Sequence, residues 1–174
     1  MAFERVGGRV AWEGRIARVR VDTFRFDDGE EAEREIVEHP GSVAIVAHDD
    51  EHVYMVRQPR EPVGEPALLE LPAGKLDDES ESPLATAKRE LAEEIGKGAG
   101  TWEPLTRVFL SPGFSNEECH LYLATDLHDE SAEVEENERI EIVAAPLAGL
   151  DRLIEDSTDA KTVIGLLLLR DRLR

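Results

Sequence analysis

Alternating apolar and polar residues mark the first predicted elements of this chain. The alternation runs over residues 15–26 and again over 32–39, and a period of two is typical of half-buried β-strands. Between the two runs, Asp27, Asp28 and Gly29 form a turn sequence. We therefore predict an N-terminal β-hairpin.

Short apolar runs rich in β-branched residues predict the strands of a larger sheet. Two such runs, 42–47 and 53–58, are separated by an acidic turn at 48–52. Runs of this length, bounded by turn residues, are typical of buried strands. Further strands are predicted at 68–71, 105–110, 120–125 and 140–145.

A helix start and a helix stop enclose the next segment. Ser82 is a residue type that accepts hydrogen bonds from the free amides of a helix N-terminus, and Pro83 suits the first helical position. Gly96 is a typical C-terminal stop. We predict a helix that runs from Pro83 to Ile95.

Helical spacing returns at the end of the chain, at 147–155 and 159–173. The buried stripe of the last helix is predicted to hold Val163, Leu166 and Leu167, with Arg170 as a further candidate. Strands mixed with helices predict an α/β (or α+β) sandwich in which helices flank a mixed β-sheet. We expect one domain over residues 1–174, with residues 1–40 as its N-terminal β-hairpin region.

The charge and the hydropathy of the chain restrict its partners. Asp and Glu outnumber Lys and Arg by 39 to 20, and the resulting net charge of −19 would repel nucleic-acid phosphates. No apolar run reaches the roughly 18–20 residues that cross a bilayer, and the first residues lack the apolar segment of a signal peptide. We expect a soluble cytoplasmic protein that binds neither nucleic acid nor a membrane.

An acidic cluster on the predicted helix is the first chemical signal. Glu90, Glu93 and Glu94 stand at positions i, i+3 and i+4, so their carboxylates share one helix face and repel each other. Hard divalent cations such as Mg²⁺ bind carboxylate oxygens together with substrate phosphates. The cluster therefore indicates a metal site, and the alternative is a solvated acidic face.

The residues around this cluster closely resemble the Nudix box, the pattern G-x5-E-x7-R-E-U-x-E-E-x-G-U. The matching positions are Gly74, Glu81, Arg89, Glu90, Leu91, Glu93, Glu94 and Gly96. So many defined positions within one short segment make a specific signal. The resemblance implies a Nudix hydrolase in which Arg89 orients the glutamates.

Two positions depart from this pattern. Six residues lie between Gly74 and Glu81, one more than in the box. A loop tolerates an additional residue, but the insertion leaves Glu79 as an alternative to Glu81 as the partner of Arg89. Lys97 stands at the closing aliphatic position, where we expect it to expose the helix end.

The flanking segments resemble the ADP-ribose pyrophosphatases of that family. Residues 70–74 are similar to the strand that enters their box, and residues 57–60 to their Arg-Gln-aromatic-Arg segment, with a proline in place of the aromatic residue. Pro112 follows Lys97 by 15 residues, the spacing that marks this group. The resemblance covers about residues 34–143 and implies hydrolysis of ADP-ribose to AMP and ribose 5-phosphate.

The same resemblance implies metal ligands and catalytic residues. Glu90 and Glu94 would hold Mg²⁺, with Mn²⁺ as an alternative, helped by Glu93, Glu138 and the backbone carbonyl of Ala73. Glu136 is the first choice as general base, with Glu138 or Glu93 as alternatives. The catalytic candidates are Glu136, Glu93 and Arg89.

Substrate contacts and a partner subunit are implied in the same way. Arg34 and Arg60 are candidates for holding the diphosphate or the terminal ribose, because a guanidinium donates in a planar fork. Gly113 and Phe114 are candidates near the adenosine. The N-terminal hairpin of the resembling enzymes is exchanged between two subunits, which implies a homodimer.

Three other functions remain open from the sequence. Substrate choice depends on loops outside the box, so another nucleotide sugar or a dinucleoside polyphosphate is one alternative. A non-catalytic ADP-ribose sensor is a second alternative, although every carboxylate of the box is present. A purely structural acidic domain is the third.

Overall fold

The computed structural model describes residues 2–15, 17–78, 80–132 and 139–174. By its internal contacts the chain divides into two compact units. The first comprises Met1–Gly41 and Phe109–Glu118, and the second comprises Ser42–Val108 and Cys119–Arg174. The single domain expected over 1–174 remains a prediction.

The first unit contains an antiparallel sheet. Its described strands are β1 (Phe3–Glu13), β2 (Arg18–Phe26) and β3 (Glu31–Glu38), in the order β1-β2-β3. Strands β2 and β3 pair with Phe24 opposite Ala32, on either side of the turn that contains Gly29. The predicted hairpin is confirmed, and β1 is an additional strand that the sequence pattern did not predict.

Strand β1 was missed because its pairing with β2 is irregular. The register shifts between Arg5 and Gly7 and again between Val10 and Trp12. Each shift breaks the period of two on which a sequence-based prediction of a strand depends. Every position of β1 is exposed, so no buried face imposes an alternating pattern on it either.

The second unit is built on a mixed sheet. Among the described residues the strand order is β10-β5-β4-β9-β8, with β6 on β5 and β7 on β4. Strand β4 pairs in parallel with β9 and antiparallel with β5 and β7. The strands are β4 (Ser42–His48), β5 (His52–Arg60), β6 (Glu65–Glu70), β7 (Ala73–Lys75), β8 (Lys97–Phe109), β9 (Glu118–Asp129) and β10 (Glu141–Pro146).

Helix α1 (Pro83–Ile95) has the ends that its sequence predicts. The Ser82 hydroxyl oxygen accepts a hydrogen bond from the backbone N–H of Ala85 at 3.2 Å. Gly96 ends the helix in the left-handed conformation, with φ of 67°, a conformation that a glycine adopts without steric cost. Two further helices, α2 (Leu150–Asp156) and α3 (Ala160–Arg172), end the described part of the chain.

The sheet of the second unit carries helices on both faces. Val43 and Ile45 of β4 belong to one apolar cluster with Leu91 of α1. Val46, the next residue along the same strand, belongs to a second cluster with Leu166 of α3. Successive residues of a strand point to opposite faces, so β4 joins the two cores and the predicted sandwich with a mixed sheet is confirmed.

The predicted stripe of α3 is wrong by about one residue. Leu166 is buried as expected, but the other buried positions are Thr162, Gly165 and Leu169 rather than Val163, Leu167 and Arg170. Because α3 is apolar around most of its circumference, spacing alone did not define which side faces the sheet. No helix in the described ranges is both long enough and apolar enough to cross a membrane.

Candidate active site

The acidic residues of α1 are drawn away from solvent. Glu94 is 7% exposed, and the side chains of Glu90 and Glu93 are 15% and 23% exposed. Burying carboxylates is unfavourable unless cations or hydrogen bonds compensate them. The alternative of a solvated acidic face therefore does not describe these three side chains.

Arg89 lies among the carboxylates. Its guanidinium is 3.0 Å from a carboxylate oxygen of Glu90 and 2.7 Å from one of Glu93, and its Nε is 3.3 Å from Glu81. Glu81 is thus the partner that the box predicts, while Glu79 lies outside the described residues. Burial lowers the pKa of Arg89, but the negative charges of Glu90 and Glu93 outweigh burial and raise it.

One guanidinium lies among several carboxylates at this site. In the described part of the chain, Arg89 contacts three carboxylates within 4 Å, and Glu94 lies on the same helix turn. Among the described residues, no three Asp, Glu, His or Cys side chains are grouped so that they could hold a metal ion; Glu90 and Glu93 both contact Arg89 instead. Carboxylates are nevertheless the ligand type that a hard divalent cation prefers.

Strand β7 is fitted closely to α1. The backbone N–H of Ala73 donates to Glu94 Oε2 at 2.9 Å, and a Cβ on Gly74 would collide with the carboxylate of Glu90. The carbonyl of Pro72, the residue before β7, accepts a hydrogen bond from the N–H of Ile45 at 2.9 Å. Gly74 is therefore required for a close approach, which explains the first glycine of the motif in physical terms.

Arg60, the last residue of β5, is paired with Glu70. Its Nε and Nη2 donate to the two oxygens of Glu70 at 2.6 and 3.1 Å. The hydrogen bonds with Glu70 are the largest cause that raises the pKa of Arg60, and the charges of Glu94 and Asp159 add to it. The structure thus places Arg60 within electrostatic reach of the acidic helix face.

Sequence reasoning missed the partners of Arg60. Glu70 is 1% exposed and also contacts Lys161 at 2.5 Å. A lysine in the first turn of a helix opposes the helix dipole, and Lys161 is the second residue of α3. That unfavourable position, in a chain with only four lysines, was the signal that could have revealed the pairing of Lys161 with a buried carboxylate.

Three substrate-binding candidates belong to the first unit. Arg34 is exposed and donates to the carbonyl of Glu33 at 2.8 Å. The carbonyl of Phe114 accepts from the N–H of Val37 at 2.8 Å, and the Phe114 side chain is 58% exposed. Gly113 has open space where a side chain would stand. Their roles remain predictions.

The proposed general base also remains a prediction. Glu136 and Glu138 lie outside the described residues. The described site consequently contains Ala73, Glu90, Glu93 and Glu94 together with Arg89, and it tests neither Glu136 nor Glu138.

Comparison with known proteins supports this site at the level of the family. A family model described as NUDIX domain matches residues 38–164, which include α1 and the carboxylates around Arg89. The chain belongs to the Nudix family. Nudix hydrolases generally need a divalent metal ion, and the carboxylates of α1 are the candidates for holding one in this Nudix chain.

Two relatives of this Nudix chain are named ADP-ribose pyrophosphatase. The one from Bacillus subtilis is 37% identical over 164 residues, which cover 91% of the chain and 88% of the relative. The one from Mycobacterium tuberculosis is 45% identical over 128 residues, or 73% of the chain and 61% of the relative. The Nudix chain is accordingly a pyrophosphohydrolase.

A solved structure resembles the Nudix chain over nearly its whole length. It is the crystal structure of an ADP compounds hydrolase, with a TM-score of 0.87 and 28% sequence identity. The match covers 99% of this chain and 95% of that one. The α/β sandwich predicted from the sequence is confirmed by this likeness.

Proposed function

We propose that this Nudix chain is a Mg²⁺-dependent hydrolase of ADP-ribose, which it cleaves to AMP and ribose 5-phosphate. The observation that carries the proposal is the acidic face of α1, where Glu90 and Glu93 contact the guanidinium of Arg89 and Glu94 is buried on the same helix turn. A diphosphate bridged by divalent cations has the charge that such a face complements. The relatives named ADP-ribose pyrophosphatase support ADP-ribose as the substrate.

Four glutamates and one backbone carbonyl would hold the cations. Glu90 and Glu94 are the principal candidates, with Glu93, Glu138 and the carbonyl of Ala73 as additional ligands. Bound cations would neutralise phosphate charge and lower the pKa of a coordinated water. Mg²⁺ is proposed over Mn²⁺ because carboxylates and phosphates are the hard ligands it prefers. Arg89 would hold Glu90 and Glu93 in place, as it does in the structure.

A carboxylate must take the proton of the attacking water. We assign this role to Glu136, and Glu138 or Glu93 are the alternatives. Glu93 accepts a hydrogen bond from Arg89 at 2.7 Å, so its carboxylate already has a cationic partner. This contact favours Glu136 or Glu138 over Glu93 as the base.

Arginines are proposed to hold the substrate. Arg60 lies within electrostatic reach of Glu94 and is the candidate for the diphosphate. Arg34 would contact the diphosphate or the terminal ribose, and Gly113 and Phe114 would lie near the adenosine. An exposed aromatic ring such as that of Phe114 offers a surface on which a base can stack.

We also propose that the chain acts as a homodimer in which both units form one functional subunit. Strand β1 exposes four large apolar side chains, and apolar patches of this kind often mark protein interfaces. These residues are Phe3, Val6, Val10 and Trp12. Sedimentation of the wild type and of a Trp12→Ser variant tests the proposal, since a dimer held by β1 should dissociate more readily in the variant.

Hydrolysis in ¹⁸O-labelled water tests the proposed reaction. ADP-ribose, a nucleotide sugar and a dinucleoside polyphosphate are each incubated with the enzyme and Mg²⁺, and the products are examined by mass spectrometry. We expect AMP and ribose 5-phosphate, with the label in one product, and the highest kcat/KM for ADP-ribose. Faster cleavage of another compound would replace ADP-ribose as the substrate, and tight ADP-ribose binding without AMP release would indicate a sensor.

A further inference from the structure

Glu70 is a buried carboxylate that contacts two cationic side chains. It ends β6 and is 1% exposed. Arg60 contacts it through two hydrogen bonds, at 2.6 and 3.1 Å, and Lys161 contacts it at 2.5 Å. Of these two contacts, the bidentate one with Arg60 already compensates a carboxylate. The contact with Lys161 therefore needs a separate explanation.

The two cations differ in how firmly they are held. Lys161 is 13% exposed and also contacts Asp159 at 2.9 Å. Asp159 caps α3, because its Oδ2 accepts from the N–H of Thr162 at 2.9 Å. The Thr162 hydroxyl oxygen in turn accepts from the N–H of Leu71 at 3.0 Å. Lys161 is thus tied to the cap of α3, and the same cap holds the residue that follows Glu70.

Arg60 is the more exposed of the two partners. Its side chain is 39% exposed, three times the exposure of Lys161. Arg60 ends β5 just after a register irregularity between Gln58 and Arg60, whereas Lys161 lies in the capped first turn of α3. A side chain of this exposure can move from one anion to another, provided that a second cation still neutralises the anion it leaves.

We propose that Lys161 is a positioning residue that allows Arg60 to bind a substrate phosphate. If Lys161 were absent, moving Arg60 from Glu70 to a phosphate would leave a buried carboxylate without a cation, which is strongly unfavourable. Lys161 stays on Glu70 and removes this cost. Arg60 is then free to exchange a carboxylate for a phosphate, two anions that its guanidinium recognises in the same geometry. The inference rests on the proposed function, because it assumes a diphosphate substrate.

A specific kinetic effect follows for the Lys161→Met variant. Methionine fills a similar volume without a charge, so Arg60 becomes the remaining cation on Glu70 and is held there. We expect KM to rise about tenfold with kcat within about twofold of the wild type, since a contact made equally in the ground state and the transition state is lost. The measurement is steady-state hydrolysis of ADP-ribose with Mg²⁺.

Lys97→Met is the matched control. Lys97 also forms an ion pair with a carboxylate, that of Asp129 at 2.7 Å, and it begins β8, away from Glu70. The control removes the same charge and the same type of ion pair. We expect its KM to equal that of the wild type. A tenfold rise in both variants would mean that the net charge, and not the compensation of Glu70, sets KM, and would overturn the proposal.

A second substitution separates positioning from simple structural support. In the double variant Glu70→Gln/Lys161→Met the buried negative charge is absent, so Arg60 is no longer retained. We expect KM to return to within about threefold of the wild type, as a coupled pair in a double-mutant cycle should. A purely structural role of Lys161 predicts that the double variant is no better than the single one, and that result would overturn the proposal.

The assay also separates this inference from the proposed function. An unchanged KM in Lys161→Met, alongside normal wild-type turnover of ADP-ribose, overturns the role of Lys161 alone. A wild-type enzyme that hydrolyses none of the diphosphate compounds overturns the proposed function and this inference together. Circular dichroism of each variant establishes that the compared proteins are folded.

Discussion

The carboxylate of Glu90 occupies the space that a side chain on Gly74 would need. The two residues belong to different elements, β7 and α1, and the second is a candidate metal ligand. The closeness of this approach means that the position of Glu90 depends on the absence of a side chain 16 residues earlier in the chain. The geometry of the candidate metal site is accordingly sensitive to changes outside the acidic helix.

Gly74→Ala should impair catalysis more than folding. The added methyl group would push the Glu90 carboxylate away from its position, and a displacement of about 1 Å near reacting groups can cost on the order of 100-fold in rate. We expect a large fall in kcat and a higher Mg²⁺ concentration for half-maximal activity. The control is Gly149→Ala, where a Cβ meets open space and full activity should remain.

Glu94→Gln should abolish most activity while the fold is retained. The substitution removes the negative charge, but the amide oxygen of glutamine can still accept the hydrogen bond from Ala73 N–H, which is 2.9 Å long in the wild type. Because a metal ligand would be lost, we expect kcat to fall by at least about 100-fold, beyond the usual effect of indirect contacts to a metal. Wild-type turnover would contradict the assignment of Glu94 as a ligand.

Arg89→Gln should make the stability of the chain depend on divalent cations. Without the guanidinium, Glu81, Glu90 and Glu93 repel each other, and a loss of about 1–2 kcal/mol lowers Tm by roughly 2–8 °C in a chain of this size. Mg²⁺ should restore most of this loss, because a cation that binds the folded state stabilises it.

Thermal unfolding with and without MgCl₂ measures this difference. We expect the Mg²⁺-induced rise in Tm to be larger in Arg89→Gln than in the wild type. An equal rise in both proteins would mean that Arg89 does not compensate the carboxylates that bind the cation.

Asp49 should stabilise the chain until the pH becomes strongly acidic. Its carboxylate accepts hydrogen bonds from the N–H of Glu51 at 2.8 Å, the N–H of His52 at 2.7 Å and the hydroxyl of Tyr54 at 2.8 Å. The backbone N–H of Glu51 is the largest cause that lowers the pKa of Asp49 from 3.8 to about 2. A carboxylate with a lowered pKa contributes stability above its unfolded pKa and loses it as the pH falls through the folded one.

The relevant window therefore runs from about pH 4 down to about pH 2. We expect the wild type to lose more stability than Asp49→Asn across this window, although the variant is less stable at neutral pH. Urea midpoints measured at several pH values give the comparison. Parallel pH profiles for the two proteins would show that the turn at Asp49 does not contribute.

Local signals in the chain predicted much of the fold and the acidic face of α1. The ends of α1 follow from Ser82 and Gly96 because capping depends on neighbouring residues alone. The shared face of Glu90, Glu93 and Glu94 follows from the helical repeat in the same way. Strand β1 and the buried side of α3 were not predicted, since one depends on irregular pairing and the other on packing against the sheet.

The sequence by itself determined that one helix turn presents three carboxylates, and the resemblance it carries to the Nudix box is confirmed by membership of that family. Only the tertiary structure decided which residues surround them. The contact between Glu70 and Lys161 joins residues 91 positions apart, and the fit of Gly74 against Glu90 joins a strand to a helix. Such contacts depend on how distant elements pack, which no local pattern of residue types encodes.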